Sequence, residues 1–250
     1  MQFNCTYEVH IGDGSRMSRK TIAIVVAGGT GDRMGGGLPK QFMELCGRPV
    51  IAYTLGVFEK CSEISEIVVV SHPEHIVFLE SIVKENAFGK VTLILPGGRT
   101  RQESSLIGIN GCPGGTDIIL IHDAVRPFVE DSVIKRVIDA AIETGAATAS
   151  IDVTDTVVQI KGDRIGSVPA RNSLKRVQTP QGFKAKIVLS AHKAALEKGV
   201  FDATDDCTLV LALGMPVKIV EGSEKNIKLT TQRDIRLAEE FLQENINERP

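Results

Sequence analysis

The sequence predicts a single α/β domain built on a mainly parallel, Rossmann-like sheet with helices on both faces. Apolar segments rich in β-branched residues recur along the chain, and each is followed by a stretch with helical spacing. These segments are apolar throughout rather than alternating, which is typical of strands in a sheet that is covered on both sides. The predicted strands are Thr21–Ala27, Glu66–Ser71, Val91–Leu95 and Asp117–His122.

The ends of three helices are also marked in the sequence. Gly145 follows an amphipathic stretch and is expected to end that helix as a C′ glycine. Thr231 and Asp234 resemble a capping box at the start of the last helix. Asp205 and Asp206 are expected to cap the helix that begins there, because short acidic side chains accept hydrogen bonds from the first free backbone amides.

Composition limits the classes of partner. The chain has 250 residues, with 29 Lys+Arg against 31 Asp+Glu, so its net charge of −2 provides no global field for a nucleic acid. Its apolar runs are far shorter than the roughly 20 residues of a membrane helix. We therefore expect neither nucleic acid nor membrane as a partner. The five cysteines are scattered and without a C-x-x-C pair, which argues against a disulfide framework or structural zinc and favours the cytoplasm.

The chain is expected to contain a flexible extension, a domain and an arm. Residues 1–20 lack periodicity and the apolar core of a signal peptide, so we predict a flexible N-terminal extension with Met17 near the functional start. Residues 21–250 form the single domain. Within it, residues 151–178 change to short polar-flanked strands, which predicts a protruding β-arm. An isolated hairpin is marginal in water, so the arm is expected to form a homodimer; the alternative is packing on its own domain.

A glycine-rich loop follows the first predicted strand, where a parallel sheet presents its ligand crevice. The loop runs from Ala27 to Gly35. Met34 stands where a dinucleotide fingerprint needs its third glycine, and no G-K-[ST] follows for a P-loop. What remains is a loop whose amides can surround phosphates, with Arg33 and Lys40 close by, as a triphosphate requires. A tight turn without a ligand is the alternative.

A second polar cluster follows the fourth predicted strand, at the same sheet edge. There Asp123 can hold Mg²⁺ or orient a ribose, and Arg126 can pair with it or with a phosphate. The alternative is an Asp–Arg pair that only caps the next helix. A lone histidine at a strand end, such as His122 or His72, usually satisfies a local hydrogen bond.

Taken together, these motifs resemble the sugar-alcohol-phosphate cytidylyltransferases, the family that includes the 2-C-methyl-D-erythritol 4-phosphate and ribitol-5-phosphate enzymes. The resemblance covers roughly Ile22 to Glu240. Further segments that support it are Pro39-Lys40-Gln41, Gly97 through Ser104, Asp155-Thr156, Gln178 through Gln181, Thr204-Asp205-Asp206 and Gly222 through Thr230.

The resemblance implies a nucleotide-diphospho-sugar transferase type of fold with a dimerising arm, and it implies roles for particular residues. CTP would be bound by Ala27, Gly28, Gly29, Gly31, Gly98, Arg99, Ser104, Asp123, Ala124 and Arg126. The catalytic cations would be Arg33, Lys40 and Lys228. The sugar phosphate would contact Thr156, Arg171 and Thr179, the first two donated by the partner's arm. Mg²⁺ would be held mainly by the CTP phosphates, with Asp123 as its protein ligand.

The implied reaction joins CTP and an alditol phosphate and releases pyrophosphate. Methylerythritol phosphate is the expected acceptor, in isoprenoid precursor biosynthesis, and ribitol phosphate, which would give CDP-ribitol, is the alternative. A nucleotide-binding protein without turnover and a dinucleotide-dependent oxidoreductase stay open as other classes. Met34 in place of the third glycine disfavours the oxidoreductase.

Overall fold

A computed structural model describes residues 19–29 and 38–247 of the chain. The predicted extension up to residue 18, including Met17, lies outside the described residues, as does the loop segment with Gly31 and Arg33. Within the described ranges, no helix combines the length and apolar character needed to cross a membrane.

The described elements alternate between strands and helices for most of the chain. The strands are β1 Thr21–Ala27, β2 Glu44–Leu45, β3 Arg48–Pro49, β4 Glu66–Ser71, β5 Val91–Pro96, β6 Ile118–Asp123, β7 Ala146–Asp152, β8 Gln159–Lys161, β9 Arg164–Ser167, β10 Lys175–Lys184 and β11 Lys218–Glu221. The α-helices are α1 Val50–Lys60, α2 Ile76–Glu85, α3 Arg101–Gly111, α4 Asp131–Thr144, α5 Ala185–Glu197, α6 Asp206–Ala212 and α7 Gln232–Asn247.

Seven strands form one sheet in the order β11-β7-β10-β6-β1-β4-β5. β10 is antiparallel to both of its neighbours, whereas the other strand pairs of this sheet are parallel. β6 is the middle strand and β1 lies beside it, with Val26 of β1 paired with Asp123 at the end of β6. The loops after β1 and β6 therefore leave the sheet at the same edge, which is where a ligand crevice forms in this class of fold.

Helices cover both faces of the sheet, as the uniformly apolar strands predict. In β1, Ala23 and Val25 belong to a core shared with α1, α2 and α4, while Ile22 and Ile24 belong to the core shared with α3, α5 and α6. All four of these side chains are fully buried. Burying one Val or Ile contributes about 1.5–3 kcal/mol, so the two cores hold β1, and with it the point where the next loop begins, firmly in the sheet.

The predicted strands and the predicted ends of α4 and α7 are confirmed, with shifts of one residue at β5 and β6. Gly145 ends α4 with a φ of 96°, in the left-handed region that favours glycine. At the start of α7, Asp234 Oδ2 accepts a hydrogen bond of 2.7 Å from Thr231 N, and Thr231 Oγ1 accepts one of 3.3 Å from Asp234 N. This reciprocal pair is the predicted capping box.

The segment predicted as an arm is divided between two sheets. Its two ends belong to the main sheet, since β7 continues to Asp152 and β10 begins at Lys175. Between them, β8 and β9 form a separate two-stranded antiparallel sheet whose residues are all exposed. The role of this hairpin in dimerisation stays a prediction.

Candidate active site

A pocket of about 420 Å³ lies at the sheet edge where β1 and β6 end. The described residues that line it include most of the predicted nucleotide site: Ala27, Gly28, Gly29, Gly98, Arg99, Ser104, Asp123 and Ala124. The predicted catalytic Lys228 lines it as well. Its volume lies within the usual range of small-molecule sites, about 300–1,000 Å³.

The start of the glycine-rich loop is held by Gln41, to which the sequence argument gave no role. The side chain of Gln41 is buried, and its Nε2 donates hydrogen bonds to the carbonyls of Ala27, at 2.7 Å, and Gly29, at 2.9 Å. Ala27 and Gly29 both line the pocket, so these hydrogen bonds fix the backbone that forms part of its wall. Gln41 is thus a positioning residue for the first residues of the loop, Ala27 to Gly29.

Asp123 is the electrostatic centre of the site. Its Oδ2 lies 2.8 Å from Lys228 Nζ, and its Oδ1 accepts a hydrogen bond of 3.2 Å from Arg101 Nε. Burial alone would raise the pKa of Asp123, but the charges of Arg101 and Lys228 outweigh it and hold the pKa well below its usual range. The carboxylate is therefore ionised near neutral pH.

Lys228 is placed by buried neighbours in a segment without regular secondary structure. Two residues before it, Asn226 is fully buried, and its Nδ2 donates to the carbonyl of Thr179 at 2.8 Å. Immediately after it, the buried Leu229 donates its backbone N–H to the carbonyl of Val125 at 2.9 Å. These hydrogen bonds anchor the backbone on both sides of Lys228 and so determine where its side chain enters the pocket.

Lys40 reaches the same segment. Its ammonium donates to the carbonyl of Thr230, two residues after Lys228. Pro39 and Gln41 beside it are buried, which leaves the Lys40 side chain half-buried on a fixed turn. The structure thus brings two of the three predicted catalytic cations to one segment of chain, while Arg33 lies outside the described residues.

The turn between β5 and α3 forms another wall of the pocket. A Cβ atom on Gly98 would lie 2.2 Å from Cγ of Glu103, so this position accepts only glycine without rearrangement. Ser104 Oγ accepts a hydrogen bond of 3.1 Å from Gly98 N and donates one of 3.0 Å to Thr100 O. Ser104 therefore shapes the turn, and the guanidinium of Arg99 is almost fully exposed above it.

Arg101 connects Asp123 with a buried carboxylate that sequence analysis misassigned. Asp205 caps α6 as predicted, accepting a hydrogen bond of 2.9 Å from Thr208 N. The cap prediction for Asp206 is wrong: its carboxylate is buried and accepts hydrogen bonds from Arg101 Nη1 at 2.7 Å and from His192 Nε2 at 2.9 Å. Its side chain points inward because the cap position is already filled by Asp205.

These contacts also shift the pKa values of Arg101 and Asp206. Burial alone would lower the pKa of Arg101, but Asp206 and Asp123 reverse this and raise it. Burial alone would raise the pKa of Asp206, but the hydrogen bond from His192 and the charge of Arg101 together lower it. Both groups stay charged, so the guanidinium is a permanent cation in the pocket wall.

His122 and Thr179 support Asp123 from behind. His122 Nε2 donates a hydrogen bond to Arg126 O at 3.1 Å, and its Nδ1 accepts one from Thr179 Oγ1 at 3.0 Å. The bond to Arg126, four residues away, is the local hydrogen bond that the sequence predicted for this histidine. Thr179 Oγ1 in turn accepts from Asp123 N at 3.1 Å. The buried hydroxyl of Thr179, predicted to contact the sugar phosphate, is thus engaged within the protein.

Three other predicted residues lie away from the pocket wall. Arg126 is not among the described residues that line it; its Nη1 donates to Asn226 O at 2.7 Å, and its Nε lies 3.9 Å from Asp123 Oδ2. Thr156 and Arg171 are exposed on the arm, where Arg171 Nη2 lies 3.5 Å from Thr156 Oγ1. Arg126 therefore supports the site, while Thr156 and Arg171 lie together on the arm.

The charges of the pocket suit a polyanion. Among its described lining residues, three are cationic (Arg99, Arg101 and Lys228) and one is acidic (Asp123). One ionised carboxylate beside a cationic wall also fits Mg²⁺, which binds proteins through one or two carboxylates and is held otherwise by substrate phosphates and water. To reach the metal directly, Asp123 Oδ2 would exchange its contact with Lys228.

Comparison with known proteins identifies the family. The model of the family IspD, 2-C-methyl-D-erythritol 4-phosphate cytidylyltransferase, matches residues 21–244. Proteins of that name from Desulforamulus reducens and Geobacillus kaustophilus are 43% and 41% identical in sequence to this chain. Each alignment covers 88% of this chain, and the two alignments cover 95% and 96% of the respective relatives.

Solved structures agree with the sequence matches. The crystal structure of 4-diphosphocytidyl-2C-methyl-D-erythritol synthase from Anaerococcus prevotii superposes with a TM-score of 0.81 at 29% identity, covering 90% of this chain and 97% of that one. The crystal structure of 2-C-methyl-D-erythritol 4-phosphate cytidylyltransferase from Thermus thermophilus superposes with a TM-score of 0.71 at 32% identity, covering 90% of this chain and 99% of that one. The chain therefore belongs to the 2-C-methyl-D-erythritol 4-phosphate cytidylyltransferase family.

Proposed function

We propose that the chain transfers the cytidylyl group of CTP to 2-C-methyl-D-erythritol 4-phosphate, giving 4-diphosphocytidyl-2-C-methyl-D-erythritol and pyrophosphate. The observation that supports this best is the pocket lined by Gly28, Gly29 and Asp123, in which Lys228 lies 2.8 Å from the Asp123 carboxylate. Family membership over residues 21–244 supports the substrates.

The reaction needs charge neutralisation more than a general base. A phosphate oxygen of the acceptor attacks the α-phosphorus of CTP, and the bond from that phosphorus to the oxygen bridging it to the β-phosphate breaks. Since the second pKa of a phosphate monoester is about 6, the nucleophile is already a dianion near neutral pH. The barrier comes from bringing two anions together and from the charge that develops on the departing pyrophosphate.

The chain's own cations would lower that barrier. Lys228 contacts Asp123 in the pocket, Lys40 reaches the carbonyl of Thr230 two residues after Lys228, and Arg101 adds a guanidinium in the pocket wall. Arg33, on the same glycine-rich loop as Gly29, would bind the β- and γ-phosphates. When an α-phosphate enters, the Lys228 ammonium can leave Asp123 and pair with the phosphate at little cost, because one anionic partner replaces another.

Mg²⁺ would supply further neutralisation of the triphosphate, with Asp123 as its protein ligand. Asp123 suits this role because it is ionised, lines the pocket and has Lys228 as a side chain that can move away. The remaining ligands would be phosphate oxygens and water.

Pyrophosphate release measured with CTP tests the function. With methylerythritol phosphate we expect turnover. Lys228→Ala and Lys40→Ala should each lower kcat by about 10²–10³-fold, the loss typical of one donor to a developing charge. Lys225→Ala is a matched control, because Lys225 is exposed on the same segment. Wild-type turnover in both active-site variants would refute the mechanism.

The same assay separates the acceptors and the classes of function. The relatives reported above have the methylerythritol name, which favours that acceptor over ribitol phosphate. Faster turnover with ribitol phosphate would reverse the acceptor assignment. Binding of CTP without pyrophosphate release from either acceptor would instead identify a nucleotide-binding protein without turnover.

We also propose that the arm pairs with its copy in a second chain and that the active protein is a cytoplasmic homodimer. Apolar side chains on the hairpin support the pairing: Ile160 and Ile165 are 76% and 66% exposed. The two strands bury no core of their own, and an isolated hairpin is marginal in water. Pairing would cover these side chains and would bring Thr156 and Arg171 to the partner's pocket.

Light scattering at micromolar concentration tests the pairing. Ile160→Asp with Ile165→Asp should convert a dimer to a monomer and raise the KM for the sugar phosphate. Val77→Asp is the control, since Val77 is 77% exposed on α2, outside the arm. A monomeric wild type, or an unchanged dimer in the double variant, would contradict the proposal.

A further inference from the structure

Three potential metal ligands lie together in the turn between β4 and α2, outside the nucleotide pocket. His72, Glu74 and His75 each offer one ligand atom, and these atoms lie within 4.8 Å of one another. None of the three lines the pocket described above. The proposed chemistry gives them no role.

The local backbone explains why the side chains meet. β4 ends at Ser71, and Pro73 begins a single 3-10 turn, Pro73–His75, with His72 as its N-cap. Residues three apart lie on the same side of a 3-10 turn. The rings of His72 and His75 are accordingly 5.9 Å apart between centroids, and Glu74 Oε2 lies 3.8 Å from His72 Nδ1.

The donor set is one that transition metals prefer. Two imidazoles and a carboxylate form three-ligand zinc sites whose fourth position is taken by water. With metal–ligand bonds of about 2.0–2.1 Å, tetrahedral geometry places ligand atoms about 3.4 Å apart. The 3.8 Å separation of His72 Nδ1 and Glu74 Oε2 is close to this, and the wider separations can close by side-chain rotation.

The three side chains are accessible enough to bind an ion. The two histidines are half-buried and the Glu74 side chain is 80% exposed. His122 differs, because it is fully buried and both of its ring nitrogens have protein partners. The contact that His72 Nδ1 makes with Glu74 N is long, at 3.4 Å, and is easily given up.

We propose that His72, Glu74 and His75 form a binding site for a divalent transition-metal ion of the Zn²⁺ class, separate from the Mg²⁺ of the reaction. The ring of His75 packs against Phe42, with centroids 5.0 Å apart. Phe42 ends the short helical turn that contains Lys40 and Gln41. A bound ion would therefore fix the contact between the β4–α2 turn and the turn that positions Lys40.

Calorimetric titration of the full chain with Zn²⁺ tests the site. Wild type should bind one more equivalent of Zn²⁺ than the double variant His72→Gln, His75→Gln, in which any zinc bound to cysteine thiols is retained. Glu74→Gln, a change at an exposed position, should weaken that equivalent by about tenfold or more. Glu80→Gln is the control, because it removes an exposed carboxylate of α2 outside the cluster.

Two further measurements distinguish this site from the Mg²⁺ site. Millimolar Mg²⁺ should not displace the ion, because imidazole ligands favour Zn²⁺ over Mg²⁺. Co²⁺ in its place should give the visible absorption of a four- or five-coordinate ion, and the double variant should lose that absorption. Equal Zn²⁺ stoichiometry in wild type and double variant, or complete displacement by Mg²⁺, would overturn the proposal.

Discussion

The buried carboxylate of Asp206 allows a sharp test of how the site is supported. Its side chain is 1% exposed and accepts hydrogen bonds from Arg101 and His192. Arg101 also binds Asp123, which holds Lys228. Asp206→Asn keeps the size of the side chain and removes the charge, so it leaves Arg101 with one counterion instead of two.

The expected cost follows from these contacts. Removing one partner of a buried ion pair costs about 3–5 kcal/mol. We expect the lower end, about 3 kcal/mol, because Arg101 keeps Asp123 and an asparagine oxygen can still accept one hydrogen bond. With an m-value of about 3 kcal/mol/M in urea, the unfolding midpoint should fall by about 1 M.

Urea unfolding followed by circular dichroism measures this effect. Asp205→Asn is the matched control, because Asp205 only caps α6 and asparagine caps as well as aspartate. The control should stay within about 0.5 kcal/mol of wild type. A midpoint for Asp206→Asn as close to wild type as that of the control would refute the view that Asp206 is an essential counterion of Arg101.

Two further predictions concern acid stability and the N-terminus. Burial lowers the pKa of His122 from 6.5 to about 4, so between these pH values the unfolded chain binds a proton that the folded chain does not. The free energy of unfolding should therefore fall as pH falls through this window, by about 1.4 kcal/mol per pH unit, and His122→Gln should flatten the pH dependence; an unchanged slope would contradict the assignment. Deleting residues 1–16 should leave pyrophosphate release unchanged, because Met17 is the expected functional start, and a tenfold loss would show that the extension takes part.

Sequence patterns predicted those parts of the fold that are determined by residues close together in the sequence. The limits of β1 and β4 follow from continuous apolar runs, and the end of α4 follows from one glycine. β10 could not be recognised as a strand of the main sheet, because the polar residues Gln178 and Gln181 occupy buried positions in it. They are satisfied by partners distant in sequence, such as Ser223 O for Gln178 Nε2, which no local periodicity reveals.

The candidate site was predictable where its residues lie in motifs at strand ends. Asp123 and the glycines after β1 are examples, since parallel strands end at one edge of a sheet. The role of Arg101 could not be predicted, because its partners Asp123 and Asp206 lie 22 and 105 positions away. The segment Gly97 through Ser104 offered two arginines, Arg99 and Arg101, and nothing in the sequence showed which of them contacts the two carboxylates.

The central claim is that cations from distant parts of the chain act on one phosphorus atom. A crystal structure with a CTP analogue in which a methylene group replaces the oxygen between the α- and β-phosphates tests it most directly. We predict that Lys228 and Lys40 lie within about 3 Å of phosphate oxygens, as charge-assisted hydrogen bonds require, with Arg33 on the same triphosphate. Lysines that stay on Asp123 and Thr230 while the analogue binds elsewhere would contradict the account.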